Sequence, residues 1–473
     1  MIRFDRWLRN ALRREARDML RSGPATVELL RPVGPEIPSD ERVLEVLDLC
    51  LQVGEVLLSS GEAAADTSAT MARLADSCGL VTVDIDITFT SITICCHRGK
   101  SATPVTSMRI LRYRTTDLTR LVVVTDIVNR VVRGELDVPA AGVELAAAVG
   151  ARHPYPRWVA TAGWAGLAAA VALLLGGPPV IWLIALLLTA FIDRAGRLLG
   201  RWGVPPFFLQ MAGGFVATVV TVGLVALGAL PGTEPSLVIA ASITVLLSGL
   251  SVMGAVQDAI AGHVVTAAGR AAEIALLSAG LLTGVILGLK VGIAFGITLD
   301  PAEPVAADVT RFAISTFAAA AAAMMFALAC YAPLRSLIAA ALAGGIGWAA
   351  FGALTLLVPF GVVVATGLAA VFIGLMSELF RRGTRIDRHV IILSGIIPLL
   401  PGLTAYRGFY QLASMEEVVD GLGTITLALA IGLALAAGVT LGQLIARPRP
   451  APEIPEPGAK SAAATPPVVD EGD

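Results

Sequence analysis

The chain has 473 residues, of which 56 % are apolar and only 15 % charged, and its mean hydropathy is +0.78. Soluble domains carry charge at about a quarter of their positions, so a wholly water-soluble protein is excluded. The formal net charge of −2 averages a polar front, an apolar middle and a polar tail, and it gives no basic footing for nucleic acid.

Residues 1–39 form a basic segment. Met1 to Ser22 holds seven arginines and no continuous apolar core, so it is not a signal peptide. Phe4, Trp7, Leu8, Leu12, Met19 and Leu20 recur at helical spacing among the arginines. Such a helix lies on an anionic cytoplasmic leaflet or docks, solvated, on its own domain; spacing alone leaves both open.

Residues 40–150 predict a cytoplasmic α/β domain. Glu41–Ser60 and Glu62–Cys78 read as helices stopped by Gly61 and Gly79. Val81–Phe89 alternates, with Val81, Val83, Ile85, Ile87 and Phe89 inward; Ser91–His97 is its hairpin partner and Thr103–Tyr113 a third strand. Asp117–Arg133 and Ala140–Val149 return to helix. No glycine-rich nucleotide motif is present to drive a pump with ATP. Ser91, His97 and Asp84 lack a nucleophile motif, so no enzyme is expected. Cys50, Cys78, Cys95, Cys96 and Cys330 show no metal spacing, and neighbours such as Cys95 and Cys96 on a strand point to opposite faces. Together with four isolated histidines they predict reduced structural thiols, no metal site and no cofactor.

A bilayer core of about 30 Å needs roughly 20 apolar residues per helix. Ten candidate spans follow: 158–175, 177–195, 207–230, 236–256, 274–297, 312–332, 334–350, 354–377, 389–410 and 422–445, with the joins near Pro333 and Gly352 least marked. Alternate joins and the tail collect Arg194, Arg197, Arg201, Arg270, Arg335, Arg381, Arg382, Arg385, Arg388, Arg447 and Arg449. The other joins hold Glu234, Asp300, Glu303, Asp308, Glu416, Glu417 and Asp420, with Arg311 alone at a helix edge. The positive-inside bias then puts both termini in the cytoplasm. Residues 447–473 read as a disordered Pro/Ala-rich tail.

Two segments interrupt this pattern. LLSGLSVMG at Leu246–Gly254 and LLPGLTAYRG at Leu399–Gly408 stand 153 positions apart, each placing glycine beside serine or proline. Paired interruptions in matching spans point to a transporter's binding site. Arg157-Trp158-Val159 and Arg311-Phe312-Ala313 open the first and sixth spans, and Pro178 and Pro333 precede the second and seventh. The membrane part divides into repeat 1, residues 157–297, and repeat 2, residues 311–446. Five spans per half is odd, so the second half enters the membrane inverted. The halves then rock about a solute held near the midplane.

Within Leu246–Arg270, the residues Gly249, Asp258, Gly262, Gly269 and Arg270 resemble the signature of the bacterial threonine/serine exporter family. Ser248 stands where the family usually has proline before the first glycine. Pro398, Pro401, Gly402, Tyr406 and Arg407 are similar to the family's second conserved half, and Gly54, Gly61, Arg73, Gly79, Asp117, Leu118 and Leu121 to its front domain. The resemblance covers about residues 40–445. It implies a multi-pass exporter of L-threonine and L-serine in the cytoplasmic (inner) membrane, driven by protons as an antiporter. A homo-oligomer is compatible with it.

A zwitterionic amino acid needs partners for its carboxylate, ammonium and hydroxyl, and backbone groups freed at interrupted helices supply several of them. Ser248, Gly249 and Ser251 facing Gly402 and Thr404 make such a substrate site, with Tyr406 beside it by resemblance. Arg407 either holds the carboxylate or snorkels to the outer interface. Gln257, Asp258 and Arg270 are the coupling or gating candidates, although Asp258 and Arg270 also suit a plain interface ion pair. Asp193 and Glu378, at inner helix ends, and Lys290, inside the fifth span, read as either interface residues or proton carriers. A gated channel or carrier for another small polar solute, or a sensor anchored by the membrane part, are the alternatives.

Overall fold

The computed structural model describes residues 39–98, 103–111, 116–230, 234–247, 249–299, 309–357, 361–383, 388–414 and 418–446. The basic amphipathic segment, the Pro/Ala-rich tail and Ser248 lie outside the described residues.

Ser39 caps the first helix, α1 (Asp40–Ser59), and Gly61, at φ +98°, turns the chain into α2 (Ala64–Ser77). Three antiparallel strands follow in the order β1 (Val83–Thr88), β2 (Ser91–Cys96) and β3 (Val105–Ile110). Ile92, Ile94 and Cys96 of β2 are buried against α1, α2 and α3, whereas Asp84 and Asp86 of β1 face outward, as the period-2 alternation requires. Val81 was expected inward and is instead 55 % exposed, because β1 starts only at Val83. Asp117 and Asp137 cap α3 (Leu118–Val132) and α4 (Val138–Gly150), each accepting a backbone N–H at 3.0 Å.

The apolar part begins with α5 (Arg157–Leu174), α6 (Pro179–Arg201) and α7 (Pro206–Ala226). A bent pair, α8 (Ser236–Leu246) and α9 (Gly249–Ile260), leads into α10 (Val264–Ala294). The second half repeats that order with α11 (Phe312–Ala329), α12 (Leu334–Leu357), α13 (Val362–Gly383), the bent pair α14 (Arg388–Ile396) and α15 (Gly402–Ser414), and α16 (Val418–Ala446). Eight helices are long and apolar enough to cross a membrane, and up to ten spans result if each bent pair is one.

The spans expected at 236–256 and 389–410 bend by 49° and 46° at the expected interruptions. Two boundaries differ from expectation. The join expected near Gly352 lies further along: α12 runs through Gly352, which packs on the Phe312 ring, to Leu357, and α13 begins at Val362. Helix α10 starts at Val264 rather than residue 274, because Arg270 is buried with a carboxylate partner and no longer needs water.

In each half the third and fifth helices pack through glycine. A methyl group at Gly284 would run into the Met211 carbonyl, and one at Gly214 would lie 2.6 Å from the Leu281 carbonyl. In the second half, a methyl at Gly438 would strike Gly367 and one at Gly442 would strike Val371. Small residues let apolar backbones approach where lipid offers no hydrophobic drive for helix association.

The joins sort to two poles. The α/β region meets the α9–α10 turn, where Thr266 donates to Ile87 O at 2.7 Å and Gly269 receives Phe89. It also meets the α11–α12 turn, where Leu118 N donates to Cys330 O at 2.9 Å, and Tyr155 donates to Ala332 O at 2.9 Å. At the opposite pole Arg311 donates to Gly176 O at 3.2 Å, and Tyr410 to Leu299 O at 2.6 Å.

Candidate functional site

The two helix breaks adopt the same backbone conformation. Leu247, after α8, has φ −67° and ψ 131°, and Leu400, 153 positions later, has φ −64° and ψ 137°. One extended residue ends each first half-helix and glycine opens the next, so the ladder of i→i−4 bonds is interrupted in both. Gly402 lies against Thr244, whose hydroxyl would collide with a methyl group there. Contacts of α15 run chiefly to α8, α10 and α16, and those of α9 to α10, α16 and α2. The second break is therefore seated on α8, ahead of the first break, and Gly249 and Ser251 lie beyond that seat.

One turn past Gly402, Tyr406 is completely buried and its hydroxyl has no hydrogen-bond partner among the described residues. Thr404, Arg407 and Ser251 are half-buried, and Arg407 makes no ion pair among the described residues.

The gating candidates sit at the junction with the α/β region. Asp258, fully buried, accepts from Ala64 N at 2.7 Å and lies 3.1 Å from Arg270 Nε. Arg270 also donates to Glu62 O at 2.9 Å, and Gly254 makes room for its guanidinium. Glu62 contacts His389 at 3.1 Å, while Arg388 bridges Asp66 at 3.5 Å and the buried Glu378 at 3.7 Å. Gln257 lines a small recess with Glu62, His389 and Gln443. Ligand atoms of Glu62, Asp66 and His389 lie within 4.8 Å of one another, close enough to share a cation, but the Arg388 guanidinium already supplies positive charge there. Asp258 and Arg270 thus form an ion pair that also joins both halves of the chain's architecture: membrane helices and α/β region.

A cavity of about 380 Å³ opens among α5, α6, α7 and α8. Its polar lining is Thr189, Asp193, Arg197, Gln210 and Ser242, with Trp164 at one wall. Arg197 pairs with Asp193 and donates to Thr161 at 2.6 Å. Gln210 Nε2 donates at 3.0 Å to the carbonyl of Leu246, a group that the first break frees. Thr189 Oγ1, Gln210 Oε1 and Ser242 Oγ have no hydrogen-bond partner among the described residues. Elsewhere helical hydroxyls turn back on their own helix, as Thr218 does to Gly214 O at 2.9 Å and Thr244 to Ala240 O at 2.6 Å. Apart from Asp193, whose position at a helix end drew notice, and Arg197, which counts in the charge bias, the sequence does not single out these side chains, since an isolated hydroxyl in an apolar helix carries no periodic signal.

The chain matches the family profile described as "Putative threonine/serine exporter" over residues 48–292. It matches "Threonine/Serine exporter, ThrE" over residues 315–445. It is 36 % identical over 426 residues to the probable threonine/serine exporter of Mycobacterium tuberculosis (strain ATCC 25618 / H37Rv), covering 86 % of this chain and 78 % of that one. It is 34 % identical over 442 residues to the threonine/serine exporter of Corynebacterium glutamicum, covering 90 % and 89 % respectively. No solved structure matches the chain.

Proposed function

The chain belongs to the threonine/serine exporter family, and from that premise we propose a secondary active exporter of L-threonine and L-serine, driven by protons and working by alternating access. In this reading repeats 157–297 and 311–446 are inverted five-helix units in the inner membrane, and the α/β region with both termini is cytoplasmic. The observation that carries it is the pair of matching breaks: Leu247 and Leu400 share one conformation at the fourth position of each half. The equal helix order, the glycine-mediated packing of third on fifth helix, and the meeting of the two family profiles between residues 292 and 315 support the division.

Broken helices suit this task because they present backbone polar groups to a solute without exposing irregular chain to lipid. The predicted set of Ser248, Gly249, Ser251, Gly402, Thr404, Tyr406 and Arg407 lies at or just past the breaks. The unpartnered Tyr406 hydroxyl supports that placement. Arg197, Arg270 and Arg388 gather at the pole that bears the α/β region, or inside the helices next to it, which supports a cytoplasmic assignment of that pole.

The test is flux of labelled L-threonine in proteoliposomes with an imposed pH gradient. Accumulation against the threonine gradient is the expected result. Equilibration alone would replace the exporter with a channel or uncoupled carrier, and absence of threonine flux in folded protein would refute the substrate.

A further inference from the structure

We propose that the cavity among α5, α6, α7 and α8 receives one zwitterionic hydroxy-amino acid, with Arg197 and Asp193 reading its charges and Thr189, Gln210 and Ser242 reading its polar hydrogens and hydroxyl. This deepens the export reading and rests on it, and it moves the solute from the predicted residues at and past the breaks to the cavity beside the first break.

Size comes first. At about 380 Å³ the cavity stands near the lower end of ligand pockets, which suits a single small solute. Charge comes next. Arg197 and Asp193 form a neutral pair on one helix face, four residues apart. A zwitterion laid against such a pair sets carboxylate on guanidinium and ammonium on carboxylate, so net-charged solutes are disfavoured. Arg197 also donates to Thr161 at 2.6 Å and Arg157 O at 3.5 Å, so with its two bonds to Asp193 it engages four of its five N–H groups and keeps one Nη1 hydrogen for a solute carboxylate.

The unpartnered oxygens give the specific part. Ser242 is 1 % and Thr189 3 % exposed, and their hydroxyl oxygens, like Gln210 Oε1, lack a partner among the described residues. Buried polar atoms are satisfied in the great majority of native sites, and exceptions call for a bound water, a ligand or a functional role. An α-ammonium offers three donors, and a threonine or serine side chain adds a hydroxyl that both donates and accepts. Alanine lacks that hydroxyl and would leave one of these oxygens unmet.

The cavity also touches the moving part. Gln210 holds the freed Leu246 carbonyl, and Ser242 stands two residues before Thr244, the seat of Gly402. Two residues on a helix are about 200° apart, so α8 shows Ser242 to the cavity and Thr244 to the second half. A solute binding beside Ser242 and Gln210 therefore presses on the helix against which the second break rests.

The experiment uses the full-length protein in proteoliposomes. Replacing both Thr189→Val and Ser242→Ala should raise the KM for L-threonine about tenfold or more and reduce its preference over L-alanine, since each removes a hydrogen bond to solute. An unchanged KM and preference would overturn the site. As a second readout, Ser242→Cys should react with a small thiol reagent several-fold more slowly in saturating L-threonine than without it, above the background of the wild-type chain. Protection without transport in the wild type would uphold the site and refute export; transport without protection would uphold export and refute the site.

Discussion

The carboxylate of Asp258, at the end of α9, accepts the backbone N–H of Ala64, the first residue of α2, at 2.7 Å across 194 positions of sequence. Ala63 has no side chain able to cap α2, so a residue from the membrane part takes that role. A negative charge at a helix N-terminus also meets the positive end of its dipole, and Arg270 balances the charge from the other side.

This arrangement separates two roles of Asp258. Asp258→Ala leaves Arg270 buried without its partner, a change that typically costs ~3–5 kcal/mol, and it uncaps α2. Hydrogen exchange at the first amides of α2 should accelerate and thermal stability in detergent should fall. Asp258→Asn keeps an acceptor for Ala64, so protection of α2 should largely persist. If uphill threonine flux vanishes in Asp258→Asn while that protection remains, the charge serves coupling. Flux retained in that variant would confine Asp258 to docking.

Glycine contacts between the third and fifth helices give a stability contrast. Gly284→Ala and Gly438→Ala each force a methyl onto a facing backbone carbonyl, an overpacking that costs ~1–3 kcal/mol. Gly223→Ala meets nothing within 4 Å on α7 and should be neutral or stabilising by up to ~1 kcal/mol through helix propensity. Melting temperatures of purified Gly284→Ala and Gly438→Ala should lie below that of Gly223→Ala, and equal values would contradict the packing.

The seat of Gly402 on Thr244 can be tested as a pair. Gly402→Ala should depress threonine flux at unchanged expression, because its methyl meets the Thr244 hydroxyl. Thr244→Ala in the same chain should recover part of that flux. Additive losses would show that the two breaks do not lean on each other in the working protein.

Sidedness follows from the two poles. A cysteine at Arg201 should be protected from a membrane-impermeant thiol reagent added to intact cells, and one at Glu234 should be modified. The reverse labelling would invert the proposed orientation.

Cys50 offers a pH test outside the membrane part. Burial between α1 and its neighbours pushes its thiol up to about 12, with Cys78 adding to the rise. A raised folded pKa means the neutral thiol is favoured in the native state, so its contribution is complete below the unfolded value near 9 and declines as pH climbs towards 12. Cys50→Ser or Cys50→Ala should flatten the loss of α/β-region stability over that alkaline range. At neutral pH the native thiol should resist alkylation until the region unfolds.

How much of this was legible in the sequence differs by element. The apolar segments, the three strands and the paired LLSGL and LLPGL breaks stand out because hydropathy and helix-breaking residues act locally, within one or two turns. The extent of α10 was not legible, since Arg270 reads as a join residue until Asp258 is known to neutralise it. The Gly352 boundary was misplaced because glycine in an apolar helix serves packing as readily as breaking, and only the Phe312 ring on its far side decides which.

The candidate site divides in the same way. Gly402, Tyr406, Asp258 and Arg270 were visible as residues, but not that Gly402 seats on Thr244 or that Asp258 caps α2. Thr189, Gln210 and Ser242 were invisible, because they come from three helices and matter only through the cavity they share. Composition, spacing and charge bias determined a multi-pass helical protein with two interrupted helices. Which buried polar atoms find partners, and which side chains come together around a cavity, was decided by long-range packing that no local pattern encodes.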